Sequence, residues 1–200
     1  MKTIKIILLF IITMNCKAQN SIINILDDDG TRLTNTYYKD VNNLLNNFEG
    51  TYIYTNGNTT LKFILEKKIQ QYNGRFYEDL IIGEYMYIEN GIVKINSLSE
   101  LSTVYNNQRV HNIDGNFLVY NNERAWKCPQ CFTGENRLST AIRDPSTNRF
   151  AKMIIRRIMV GSQQAIHIKI CQVTSVTYIQ GTTPPANFSI PIGEYTLIKQ

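Results

Sequence analysis

The stretch GTYIYTNGNTTLKFILE, residues 50–66, decides how the chain is read. Tyr52 and Tyr54 stand two residues apart, and beyond Asn56-Gly57 the residues Leu61, Phe63 and Leu65 alternate with Lys62, Ile64 and Glu66. A period of two sends alternate side chains to opposite faces of a strand, whereas a helix needs apolar residues three or four positions apart. Asn-Gly accepts the positive φ angles of a tight turn. The stretch therefore predicts a β-hairpin. The pattern returns in LIIGEYMYIENGIVKIN, residues 80–96, where Tyr85 and Tyr87 share one face, Met86 and Ile88 the other, and Asn90-Gly91 precedes a strand at 92–95.

Working outward, strands are expected at 117–120, 138–142, 152–160, 165–173 and 195–199. Turn chemistry separates them: Asp114-Gly115-Asn116, Asp144-Pro145-Ser146, Gly161-Ser162 and Thr183-Pro184-Pro185. About nine short strands at this spacing predict a mainly β fold, an antiparallel barrel or sandwich. Parallel βαβ units would need helices between strands, and the spacing predicts one helix, over 36–48 (TYYKDVNNLLNNF). There Tyr37, Val41, Leu44, Leu45 and Phe48 make an apolar stripe that stops before Gly50. Asparagine is a weak helix former, so packing has to hold this helix. Asp27-Asp28-Asp29-Gly30 reads as a turn, because an EF-hand loop needs acidic residues at alternate positions and a closing glutamate.

The first residues, MKTIKIILLFIITMNCKAQN, place Lys2 and Lys5 before an apolar run over 6–14 that is too short to cross a bilayer, then Cys16-Lys17-Ala18. Residues 1–18 are expected to be a signal peptide cut between Ala18 and Gln19, leaving 19–200 as one β-rich domain in the periplasm or outside the cell. The competing reading is a lipid anchor on Cys16, for which Asn15 is a poor preceding residue. The chain has 21 basic and 16 acidic side chains; without Lys2, Lys5 and Lys17 the net charge falls from +5 to +2. The basicity thus belongs largely to the export signal and gives no ground for a nucleic-acid partner. No later segment is apolar for long enough to span a membrane.

Three cysteines remain after cleavage: Cys128, Cys131 and Cys171. A redox Cys-x-x-Cys sits at a helix N-terminus within a βαβ context. Here Lys127 separates Trp126 from Cys128, and FTGEN follows without an apolar helical stripe. A Cys3His zinc set would combine Cys128 and Cys131 with His167 and Cys171, 35 residues further on. In AIHIKIC, strand alternation puts Ile166, Ile168 and Ile170 on one face and Ala165, His167, Lys169 and Cys171 on the other. His167 and Cys171 would then lie roughly 13 Å apart, beyond one zinc site without a bulge. The remaining reading is a loop brace: a Cys128–Cys131 bond, or a bond from either to Cys171, pinning the connection between residues 120 and 138.

The chain contains no G-x-S-x-G elbow, H-E-x-x-H or Gly-rich phosphate loop. Glu78, Asp79, Glu84 and Glu89 could pair for acid–base work, but on alternating strands they are expected to face solvent. Arg156-Arg157 puts guanidinia on opposite faces of one strand, one of them toward a barrel or its rim. The leading expectation is an exported, non-enzymatic binding protein without a cofactor. Its small apolar ligand would occupy a cavity lined by Tyr52, Tyr54, Phe63, Tyr85 and Tyr87. The alternatives are a structural or surface-interaction protein and an enzyme using carboxylate or cysteine chemistry.

Much of residues 37–199 resembles a family of uncharacterised exported proteins of Bacteroidota, especially flavobacteria, classed as a domain of unknown function. The stretches that carry the likeness are YYKDVNNLLNNFEGTYIYTNGNTTLKFIL, YEDLIIGEYMYIENGIVKIN, HNIDGNFLVY, CPQC followed by ENRL, and PIGEYTLIK, in that order. The resemblance implies export and a β-rich fold, and no activity. Phe48-Glu49-Gly50-Thr51-Tyr52 also resembles the entry into the first strand of lipocalin-type barrels, with tyrosine where those carry tryptophan.

Overall fold

Tyr52 pairs with Phe63 and Phe63 with Tyr85, so three neighbouring strands stack aromatic rings on one face. The computed structural model that shows this describes residues 20–120, 122–175, 183 and 186–200; the expected signal peptide, Cys16 and the Pro184-Pro185 turn lie outside them. Eleven strands are described: β1 (Ser21–Asn24), β2 (Thr36–Lys39), β3 (Gly50–Asn56), β4 (Thr59–Tyr72), β5 (Tyr77–Glu89), β6 (Ile92–Asn96), β7 (Ile113–Val119), β8 (Arg137–Asp144), β9 (Arg149–Val160), β10 (Gln163–Cys171) and β11 (Gly193–Lys199). Eight of them close a barrel in the order β5-β4-β3-β11-β10-β9-β8-β7, with β7 returning to β5. Every neighbouring pair in that ring is antiparallel.

The long β5 makes closure and decoration compatible. One edge runs along β4, while the other is shared in turn by β2 at Tyr77–Glu78, β7 at Ile81–Gly83 and β6 at Met86–Glu89. β1 and β2 pair in parallel, as do β2 and β5, an addition to the antiparallel scheme. Leu61, Phe63, Ile81, Tyr85, Ile155, Ile168 and Leu197 belong to one apolar cluster within the ring. An eight-stranded barrel is about wide enough for its own side chains to fill.

Two expectations are corrected. Residues 36–48 do not form a helix: Thr36–Lys39 is β2, and only Leu45–Phe48 makes a 3-10 turn. The buried carboxylate of Asp40 accepts from the amides of Leu44 (2.8 Å) and Leu45 (2.9 Å) and from Lys67 Nζ (2.8 Å). Asn43 adopts a φ of 54°, which a right-handed helix excludes. Val41, placed on the expected apolar stripe, is 53 % exposed.

Asp114-Gly115-Asn116 is not a connection between strands but the middle of β7, where the register with β8 slips between Asp114 and Phe117. A Cβ on Gly115 would stand 2.7 Å from the Ser139 carbonyl oxygen and 2.7 Å from Thr140 Cα. Glycine is there for close approach of two backbones rather than to reverse the chain. The hairpins at Asn56-Gly57, Asn90-Gly91 and Gly161-Ser162 fall where the pattern put them.

Candidate functional site

Antiparallel pairing brings the start of β3, the end of β9, the start of β10 and the end of β11 to one end of the barrel. The 3-10 turn Leu45–Phe48 and residues 132–136, just before β8, stand beside them. Together they line a cleft of about 960 Å³. Leu44, Phe48, Phe132, Ile158 and Met159 supply apolar surface, and Arg156, Arg157, Lys199 and Glu135 supply charge. Phe132 and Met159 remain 70 % and 59 % exposed.

Arg156 and Arg157 follow each other in β9 and both line the cleft, but they differ in their partners. Arg156 forms a two-point ion pair with Glu135, Nε to Oε1 at 2.6 Å and Nη2 to Oε2 at 3.1 Å. That hydrogen bonding holds the Glu135 carboxyl below its ordinary range. Arg157 and Lys199 have no carboxylate partner among the described residues. Lys199 lies opposite Tyr52 in the β11–β3 register, and its ammonium stands 5.8 Å from the Tyr52 ring centroid. Gly50 makes room for it: φ there is 140°, and a Cβ would meet Lys199 Cε at 2.6 Å. Tyr52 is buried and donates to the Glu49 carbonyl at 3.1 Å. Burial pushes its phenol up to about 12, against the nearby Arg157 charge.

Of the aromatic residues expected to line a cavity, Tyr52 lies on this cleft. Phe63, Tyr85 and Tyr87 sit in the apolar cluster with 0–2 % exposure. Phe63 meets Tyr85 edge to face at 6.0 Å, and the Tyr85 hydroxyl donates to the Arg143 carbonyl at 3.0 Å. Tyr54 is half-buried against Tyr195, ring centroids 5.3 Å apart. Packing accounts for these four positions.

Cys128 and Cys131 are bonded to each other, and Cys171 is a buried free thiol whose pKa burial raises. This removes the Cys3His zinc set, since two of its thiolates are spent in one bond. His167 faces outward from β10 as alternation required, but Thr196 Oγ1 (2.8 Å) and Glu194 Oε2 (3.1 Å) occupy its two ring nitrogens. The disulfide closes a small ring, for which chain entropy alone gives about 2 kcal/mol. An intramolecular disulfide suggests an oxidising environment, extracellular or periplasmic. Among the described residues no helix is long and apolar enough to cross a membrane.

The acidic residues of β5 are the largest departure from the sequence reading. Glu78, Asp79 and Glu84 are 1 %, 2 % and 0 % exposed. Glu84 accepts from Asn112 Nδ2 at 2.6 Å and contacts His111 Nδ1 at 2.9 Å, beneath residues 97–112. Glu84 and His111 form an acid–base pair in composition, but both side chains are fully buried. Glu78 takes both Nε and Nη2 of Arg109 at 2.6 Å, with Arg32 and Asn116 beside it. A second cleft, about 540 Å³, adjoins this cluster and includes Arg32, Arg109 and Lys152. Each of those cations already meets a carboxylate: Asp28 and Glu78, Glu78 and Asp114, and Glu123. Nothing in the period-two pattern separates a carboxylate facing water from one facing a covering loop.

Within that cluster, burial pushes the Asp114 carboxyl up to about 6, outweighing Arg109, which stands 2.6 Å away. The folded state therefore holds this proton more tightly than the unfolded chain does. Stability from this group falls as pH rises from about 4 to about 6 and is level above that. The effect is on the order of 2–3 kcal/mol. From pH 4.5 to pH 7, urea unfolding should show Asp114→Asn losing less stability, or gaining more, than the parent protein. An unchanged difference would contradict the assignment to Asp114.

A family model described as "Family of unknown function (DUF6705)" matches residues 1–200. The chain belongs to this family. No curated protein and no solved structure matches it. The DUF6705 assignment agrees with the resemblance to an uncharacterised family and carries no activity with it. What this member can do is therefore argued from the cleft itself.

Proposed function

We propose that this member of the DUF6705 family is an exported, non-enzymatic binding protein whose small ligand occupies the cleft at the end of the barrel. The observation that carries the reading is Phe132 and Met159, large apolar side chains left 70 % and 59 % exposed on the walls of a concave site of about 960 Å³. A site of that size and character suits a small molecule. Export is supported by the disulfide and by the signal-like residues 1–18. A non-catalytic role is supported by the burial of the Glu84–His111 pair.

A surface-interaction role is the second reading, and β6 favours it. Ile92 and Val93 are 61 % and 54 % exposed on a strand that, among the described residues, pairs with β5 alone. Native mass spectrometry of the protein purified from its host separates the two. The binding reading expects a small organic molecule retained at about one per chain and released on denaturation. An apo chain that carries a protein partner instead would overturn the binding reading.

A further inference from the structure

We infer that the cleft takes an organic oxyanion, a carboxylate or phosphate monoester on an apolar body, with its head group at Arg157 and Lys199 and its body along Phe48, Phe132 and Met159. The inference rests on the binding reading above and adds the ligand's chemical class. Three cations and one carboxylate line the cleft, an excess of two positive charges. The carboxylate, Glu135, is committed to Arg156. Glu49, next to the cleft in sequence, directs its carboxylate to the Lys67 amide at 2.8 Å.

Arg157 and Lys199 both bear on Tyr52, one through its charge at the hydroxyl and the other 5.8 Å from the ring centroid. Two cations without a carboxylate partner among the described residues, beside exposed apolar surface, favour an anion that brings its own apolar part. A guanidinium presents paired donors that match the oxygens of a carboxylate or phosphate. An alkyl or aryl body then removes Phe132 and Met159 from water. The second cleft shows the opposite condition, with every lining cation neutralised.

The test is calorimetric titration of the mature chain with octanoate, octyl phosphate, octanol, octylamine and inorganic phosphate. Octanoate or octyl phosphate should bind best, and whichever is tighter assigns the head group within the class. Octanol and inorganic phosphate should each bind about tenfold more weakly or worse, and octylamine should not bind. Arg157→Gln combined with Lys199→Gln should weaken the anionic amphiphiles about tenfold or more while leaving octanol and the melting temperature unchanged. Met159→Ser should weaken octanoate and spare inorganic phosphate. Octanol binding as tightly as octanoate, or a double variant without effect, would overturn the anionic class and leave the binding function standing. Inorganic phosphate binding as tightly as octanoate would overturn the apolar body. If no probe binds while the host-purified protein retains a small molecule, the class falls and the function survives; if neither occurs, both fall.

Discussion

Glu78→Ala is expected to lower the unfolding free energy by about 3–5 kcal/mol. The Glu78 side chain is 1 % exposed and accepts at both oxygens: from Arg109 at 2.6 Å on each, from Asn73 at 2.8 Å, from Asn116 at 2.9 Å and from Arg32 at 3.3 Å. These donors come from four places along the chain: the segment after β1, the β4–β5 turn, the loop before β7, and β7 itself. Removing the carboxylate leaves Arg109 and Arg32 close together with, among the described residues, Asp114 and Asp28 to answer them. The loss is that of a buried carboxylate shared by two crowded guanidinia, larger than that of a surface ion pair. For a chain of this size the melting temperature should fall on the order of 10 °C. Glu78→Gln, which keeps the volume and two hydrogen-bonding atoms, should lose less. A Glu78→Ala melting point within a degree or two of the parent would show that water already satisfies the cluster.

The second large effect is expected at Arg137, the first residue of β8 and 0 % exposed. Its guanidinium donates to the Trp126 carbonyl at 2.7 Å and to the Tyr120 carbonyl, and it stands 5.3 Å from the centre of the Trp126 ring. One side chain thus fastens both ends of the segment that leads to the disulfide, and Trp126 packs with Val119 and Ile154 on the outside of the barrel. Arg137→Ala should cost about 3 kcal/mol, from two carbonyls left without donors and a cavity beside the indole. Limited proteolysis should then cut within residues 120–136 well before the barrel unfolds. Arg137→Lys should recover only part, because one ammonium lacks the two-pronged reach of a guanidinium. The Glu135 wall of the cleft precedes Arg137 by two residues, so ligand affinity should weaken in the same variant. Equal protease resistance in parent and variant would place the hold on this loop elsewhere.

These two positions show where sequence reading stops. Alternation located the hairpins of β3–β4, β5–β6 and β9–β10, and it sent His167 and Cys171 to one face of β10 and Ile166, Ile168 and Ile170 to the other. It did not foresee that Arg156 and Arg157 both line one cleft. It failed at residues 36–48, where five residues at helical spacing were overruled by Asp40 taking the amides of Leu44 and Leu45. It failed again at Glu78, Asp79 and Glu84: His111 and Asn112 enclose Glu84, Arg32, Arg109 and Asn116 surround Glu78, and Asp79, on the other face of β5, accepts from the Tyr37 hydroxyl and the amides of Asp40 and Gln70. Period-two patterns report which side chains share a face, and they carry no information about what later covers that face.

The sequence by itself determined the strands and turns of the β3–β4, β5–β6 and β9–β10 hairpins, because backbone pleating ties these to neighbours one or two residues away. The tertiary structure alone decided closure through β5 and β7, the pairing of Cys128 with Cys131, the enclosure of three carboxylates and the meeting of Arg157, Lys199 and Tyr52 in one cleft. Apart from the disulfide, those features join residues that are mostly tens of positions apart. Their energies come from charge, burial and shape between distant segments, which no local pattern of residues encodes.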